Sequence, residues 1–196
     1  MQSLPEELII LISTFLNNKE KTMLTSLTKY FIMFQKKFIY RDKIEAGKIM
    51  NVTYNNNFTY VEYSYSWNGL AVPPFVTHLY INFCNEPLYE LPKSLKFIRI
   101  SRFFGKIFTC TSVSHILFDG WSHWYLFNDI PYNVTHIMIR NTIGLLKKFP
   151  DTVKFLFVSE EDKTILDLKK VSPLTKIIYF DNKNHECIEK FIDSVS

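Results

Sequence analysis

The hydrophobic positions of this 196-residue chain change rhythm once. From Leu4 to Phe34 apolar residues recur at helical spacing. Leu8, Leu11, Ile12, Phe15 and Leu16 mark one stripe, read as a buried face. Ser3 with Glu6 forms a capping box, and Pro5 sits in the first turn, where a missing N–H costs nothing. Asn17 and Asn18 interrupt, and either can cap a second helix, in which Met23, Leu24, Leu27, Tyr30, Phe31 and Phe34 share a face. A third helical stretch is expected over 38–49, ended by Asn-rich sequence. Three short helices within residues 1–48 are marginal alone. Such a module needs a partner, either the following domain or another protein.

Beyond residue 49 the pattern becomes a repeat. Six segments align: VTHLYIN at Val76, LKFIRIS at Leu95, VSHILFD at Val113, VTHIMIR at Val134, VKFLFVS at Val153 and LTKIIYF at Leu174. Their starts are separated by 19, 18, 21, 19 and 21 residues, and a weaker copy, FTYVEYS, starts at Phe58. Positions one, four and six are apolar in all six. A unit of about 20 residues contributes one short strand and one return segment. Such a strand buries its inner face only by stacking in parallel on its neighbours. Pro92, Pro131 and Pro150 each stand three residues before a repeat, in the turn, because proline cannot donate to a sheet ladder. The expected fold is α/β: a three-helix module, a leucine-rich-repeat-like solenoid with a parallel sheet over 49–183, and an amphipathic helix over 184–196. In that helix Ile188, Phe191, Ile192 and Val195 share a face, which is expected to cap the open end of the solenoid.

Alternation along the strands then assigns a second surface. Positions three, five and seven face away from the core. They form an apolar and aromatic strip from His78, Tyr80, Phe97, Leu117, His115, His136, Met138, Phe155 and Phe157, with Arg99, Lys176 and Arg140 as basic points. An exposed strip of that kind reads as a docking face for a protein partner.

Composition narrows the alternatives. The 47% hydrophobic content allows a core, and the net charge of +4 comes without a basic run, which argues against nucleic acid as a partner. Cys84, Cys110 and Cys187 are too few and too scattered for a disulfide framework or a CxxC zinc site. The apolar run Leu8 to Leu16 is too short to span a bilayer, and acidic Glu6 and Glu7 precede it, so neither a membrane anchor nor a signal peptide is expected. The sequons at Asn51, Asn57 and Asn133 are then incidental, and a cytoplasmic or nuclear protein is expected.

Candidate chemistry is sparse. His78, His115 and His136 share position three and would form a ladder across the sheet, but no carboxylate joins them there, so stacking rather than metal binding is expected. His123 lies near Asp119 and Ser122 in DGWSHWYLF without a nucleophile elbow. The run Glu160-Glu161-Asp162 reads as a solvated turn. No phosphate-binding glycine loop occurs. No enzyme activity and no cofactor are expected.

Two stretches resemble known families. Leu4-Pro5-x-Glu7-Leu8, followed by Ile12, Leu16, Leu24, Leu27, Lys29 and Phe31, resembles the F-box. The family has an acidic residue followed by two leucines at the start of the second helix, where this chain has Glu20, then Lys21 and Thr22. CNEPLYELPKSLKFIRIS (84–101) and LFNDIPYNVTHIMI (126–139) resemble FNIP repeats, a leucine-rich-like family; F-box and FNIP repeats occur together in social amoebae and giant DNA viruses. The resemblance implies the substrate-recognition subunit of a cullin–RING ubiquitin ligase, which in a virus would recruit host machinery. By that resemblance Leu4, Pro5, Leu8, Ile12, Leu24 and Leu27 dock on a Skp-type adaptor, and the repeat strip holds an unidentified target protein. The alternative is a non-catalytic repeat scaffold whose first helices only cap the solenoid.

Overall fold

The computed structural model describes residues 4–65, 71–82, 91–101, 112–120, 130–141 and 149–195. Its strands are β1 (Ile44–Glu45), β2 (Val61–Tyr65), β3 (His78–Ile81), β4 (Phe97–Ile100), β5 (His115–Asp119), β6 (His136–Arg140), β7 (Phe155–Ser159) and β8 (Lys176–Phe180). They follow chain order in one eight-stranded sheet of solenoid-like form, and every described strand pair is parallel. The chain divides into two compact units, Met1–Glu62 and Tyr63–Ser196.

In the second unit the repeat register is as the spacing requires. His78 pairs with Phe97, Phe97 with His115, His115 with His136, His136 with Phe155 and Phe155 with Lys176. The residues at positions one, four and six are buried from Val76 through Val158. The turns explain the prolines. The carbonyls of Pro73, Pro92, Pro131 and Pro150 accept from the N–H groups of Val76, Leu95, Val134 and Val153, three residues on. Each proline thus opens a tight turn that aims the next strand, and it gives up no ladder donor in doing so. Hydroxyls before and at the strand starts stitch successive turns together: Ser94 Oγ donates to Val76 O at 2.7 Å, and Thr152 Oγ1 to Val134 O at 3.1 Å.

The last repeat departs from the pattern. Leu174 occupies position one but is 88% exposed. No further strand in the described sheet stacks on β8, and the buried residue of that turn is Thr175, whose hydroxyl donates to Val153 O at 2.7 Å. The carboxylate run after β7 is also only partly solvated. Glu160 and Glu161 are exposed, but Asp162 is buried against Ser159, whose Oγ accepts from the Asp162 N–H at 3.2 Å and caps a 3-10 turn, Glu160–Ile165.

The first unit contains α1 (Glu6–Ser13), α2 (Asn18–Ser26), α3 (Lys29–Ile32) and a 3-10 turn, Met33–Lys36. Asn17 caps α2 with a full capping box: its side chain accepts from Glu20 N at 2.9 Å, and Glu20 Oε2 accepts from Asn17 N at 2.8 Å. Helix α1 has Pro5 as its N-cap without a side-chain bond, and Ser3 lies outside the described residues. The helix expected over 38–49 is corrected. That stretch bridges Tyr40 to Phe58 in parallel and supplies β1, which pairs Ile44 with Val61 and Glu45 with Glu62. Tyr40 packs against both Tyr54 and Phe58, with centroids at 5.5 and 4.5 Å, and those two rings lie 6.1 Å apart. These long-range contacts outweigh the local helical spacing and carry the unit on to Glu62, past residue 48.

The C-terminal amphipathic helix, α4 (His185–Asp193), is present, but it is a cover rather than an end cap. Phe191 meets the rings of Phe97, His115 and Phe157 at 6.4, 5.6 and 5.2 Å. Ile188, Phe191 and Val195 pack into one cluster with Phe97, Leu117, Met138 and Phe180. Burying each such apolar side chain is worth about 1.5–3 kcal/mol before ordering costs.

Candidate functional site

Two surfaces emerge, one on each unit. The first is the outside of the N-terminal helices. Residues Ile9 and Ser13 of α1 face inward, and Lys21 and Thr25 do so in α2. The stripe of α1 read as buried is therefore mostly outside, with Leu8, Leu11, Ile12 and Phe15 exposed, Phe15 at 82%, and Leu16 half-buried; of the second face Met23, Leu27 and Tyr30 are exposed, Leu24 and Phe31 are half-buried and Phe34 is buried as expected. This corrects most of the expected core face. Phe34, Phe38 and Tyr40 fill the interior of this unit, and Ile9, Ser13, Lys21 and Thr25 are the residues of α1 and α2 buried with them. Of the six residues assigned to adaptor docking, Leu4, Pro5, Leu8, Ile12 and Leu27 are exposed and Leu24 is half-buried.

Lys21, which stands where the F-box pattern has leucine, turns inward. Its Nζ donates to Ile39 O at 2.7 Å and lies 5.9 Å from the Tyr40 ring centroid. Burial holds its ammonium below the usual lysine range, partly offset by Asp42. Lys21 is thus a structural tie, whereas Thr22 beside it is exposed and places a hydroxyl on the outer surface.

The second surface is the strip on the repeat unit. Of its residues only Lys176 is open to solvent as expected. His78, Phe97, His115, Leu117 and Met138 are buried, and Tyr80, Arg99, His136, Arg140, Phe155 and Phe157 are half-buried. The expected open strip is corrected: α4 packs on Phe97, His115, Leu117, Met138 and Phe157, while Arg99 and Arg140 pair with Asp119. Sequence alternation places these side chains on one face, and only the tertiary contact reveals the cover.

The histidine ladder is real and packed. The rings of His115 and His136 stack with centroids 4.2 Å apart and an interplanar angle of 9°, and His136 stacks on Phe155 at 4.9 Å. Each Nδ1 meets the hydroxyl of the preceding residue: Thr77 at 2.9 Å for His78, Ser114 at 2.8 Å for His115 and Thr135 at 2.8 Å for His136. That contact explains the recurring Ser/Thr-His pair, since it satisfies one ring nitrogen and fixes the ring's orientation. His115 Nε2 meets Ser194 Oγ, at the end of α4, at 3.3 Å. Among the described residues no group of three or more His, Cys, Asp or Glu could hold a metal ion. Cys84, Cys110, Ser122, His123 and the Phe127-Asn128 pair lie outside the described residues, as does most of the FNIP-like stretch before Leu91.

Burial, with the neighbouring His136 second, pushes His115 down from its ordinary 6.5 to about 4. His136 is lowered by burial and by Lys154. Folding therefore favours the neutral rings. Their stabilising effect is complete above pH 6.5 and is lost as pH falls from 6.5 towards 4. The expected loss for His115 over that range is about 2 kcal/mol, discounted from the full shift for solvent screening. Urea unfolding of wild type and His115→Gln at pH 7 and pH 4.5 checks this. The variant should lose less stability on acidification, and equal losses would refute the assignment.

At the carboxyl ends of the strands, Asp119 is bracketed by two arginines. It pairs with Arg99, and with Arg140 Nε at 3.1 Å. Sequence reading treated the arginines as basic points for a ligand and missed the carboxylate between them. The shared seventh position of Asp119 and Arg140 was the available signal. No helix among the described residues is long and apolar enough to cross a membrane. No protein-family model matches this chain, and neither a curated protein nor a solved structure matches it.

Proposed function

We propose that the chain is a recognition subunit without chemistry of its own: its helical unit docks on a Skp-type adaptor of a cullin–RING ubiquitin ligase, and its repeat unit holds a target protein. The observation that carries this reading is the inverted burial of α1 and α2. These helices turn Ser13, Lys21 and Thr25 inward beside Ile9 and leave Leu8, Ile12, Phe15 and Leu27 exposed, so several large apolar side chains lack cover among the described residues of their unit. Exposed apolar groups of that kind mark protein docking sites. The F-box-like residues Leu4, Pro5, Leu8, Ile12 and Leu27 are all exposed. The mechanism is proximity, since a target fixed beside a charged ubiquitin carrier reacts at raised effective concentration. This reading puts the protein in the cytoplasm or nucleus, where such ligases act.

Capture by an immobilised Skp-type adaptor tests it. Leu8→Asp and Leu27→Asp should each reduce capture at least tenfold while far-ultraviolet circular dichroism stays unchanged, because both side chains are already in water. An intact chain that captures no adaptor would leave the scaffold reading, in which the helices only cap the repeats.

A further inference from the structure

The outer face of the repeat sheet is apolar where a solvated sheet would be polar. Phe97, Leu117, Met138 and Phe157 supply that face. Its present occupant is α4, so the structure itself displays the shape and chemistry that fit. The occupant is a short helix with apolar residues at i, i+3, i+4 and i+7: Ile188, Phe191, Ile192 and Val195. Its outer side carries an internal Glu186–Lys190 pair at 2.6 Å, and the helix has three carboxylates against one ammonium.

The attachment of α4 is of a releasable kind. It is held by side chains, and among the described residues no backbone hydrogen bond joins it to the sheet. A mostly exposed polar segment, Asp181 to Asn184, links it to β8. A nine-residue helix is marginal in water, so α4 is ordered by its docking. Such an element opens locally without unfolding the strands beneath it. Helix-in-groove recognition uses the same spacing of anchors.

We propose that this face is a receptor for an amphipathic helix of the target protein with apolar anchors at that spacing, and that α4 is the intramolecular occupant which that helix displaces. The inference rests on the reading that the repeat unit holds a target. It commits the target site to the region between β4 and β7. The tether gives α4 an effective concentration of about a millimolar. A free helix of equal intrinsic fit therefore competes poorly until α4 is weakened or outmatched.

The test uses the full chain and a fluorescent peptide of residues 184–196. The variant Ile188→Asp/Phe191→Asp should bind the peptide at least tenfold more tightly than wild type does, and a peptide carrying Phe191→Asp should bind neither. A folded variant that refuses the peptide, or wild type that binds it equally well, overturns the proposal. Hydrogen exchange on the unaltered chain decides the matter even where the variant folds poorly. The α4 amides should exchange at least a hundredfold faster than those of β5 and β6, and exchange at the strands' rate would make α4 a permanent layer. Light scattering that finds dimers exchanging α4 would assign the face to a second copy and also overturn the proposal. None of these measurements involves the adaptor, so a chain that captures the adaptor but fails here sinks this inference alone.

Discussion

Leu95→Ala should cost the repeat unit about 2–5 kcal/mol, the usual range for deleting a fully buried leucine. Leu174→Ala should stay within about 0.5 kcal/mol, as exposed substitutions do. Both leucines stand at position one of their repeats by spacing, but the Leu95 N–H closes the turn from Pro92, whereas in the last repeat Thr175 closes the turn from Ser172. Leu95 has no solvent exposure and lies between neighbouring repeats, whereas Leu174 is 88% exposed. Since small domains have only about 5–15 kcal/mol in hand, the first change should lower the unfolding midpoint sharply and the second should barely move it. Urea unfolding followed by far-ultraviolet circular dichroism measures both. Equal costs would mean that another layer covers β8 and that the sheet edge is misplaced.

Asp119→Asn should destabilise the same unit by about 2–4 kcal/mol, because it leaves two guanidinium groups facing each other without the charge between them. Asp119 is nearly buried, and the Arg140 side chain is only 16% exposed, so solvent can do little to screen the loss. Arg99→Ala should cost less, since that side chain is 36% exposed and water can replace its contact. A double-mutant cycle between Asp119→Asn and Arg140→Met should give a coupling energy above about 0.5 kcal/mol, as for residues in one network. A coupling near zero would show that the arginines serve some other partner.

These two expectations mark the limits of reading along the chain. The repeat interval revealed that Leu95, Val113, Val134 and Val153 face one interior, and the strand pairing agrees residue by residue. It also placed His115 beside His136. The position of Leu174 in the same pattern carried no warning, because exposure there depends on what stacks next. The salt bridge of Asp119 was legible only in part. Its register with Arg140 followed from the repeat, but its approach to Arg99 needed side-chain directions. The candidate docking residues of α1 and α2 follow from a motif resemblance, while helical spacing is right for buried Phe34 but puts Leu8, Leu11, Ile12 and Phe15 on the wrong side. Hydrophobic periodicity says that a face seeks cover; it does not say whether the cover is the chain's own core or a partner.

The sequence alone determined the parallel stack, its register, the proline turns and the existence of an amphipathic final helix. Each of these rests on local geometry: a strand's alternation, a helix's period, a proline's missing donor. Tertiary structure decided where α4 lies, which side of α1 and α2 is inward, and that the stretch from Tyr40 to Glu45 pairs instead of coiling. Those outcomes are competitions between surfaces distant in sequence. They are settled by which contact buries more area at the lower cost in order, a quantity that no single stretch of the chain contains.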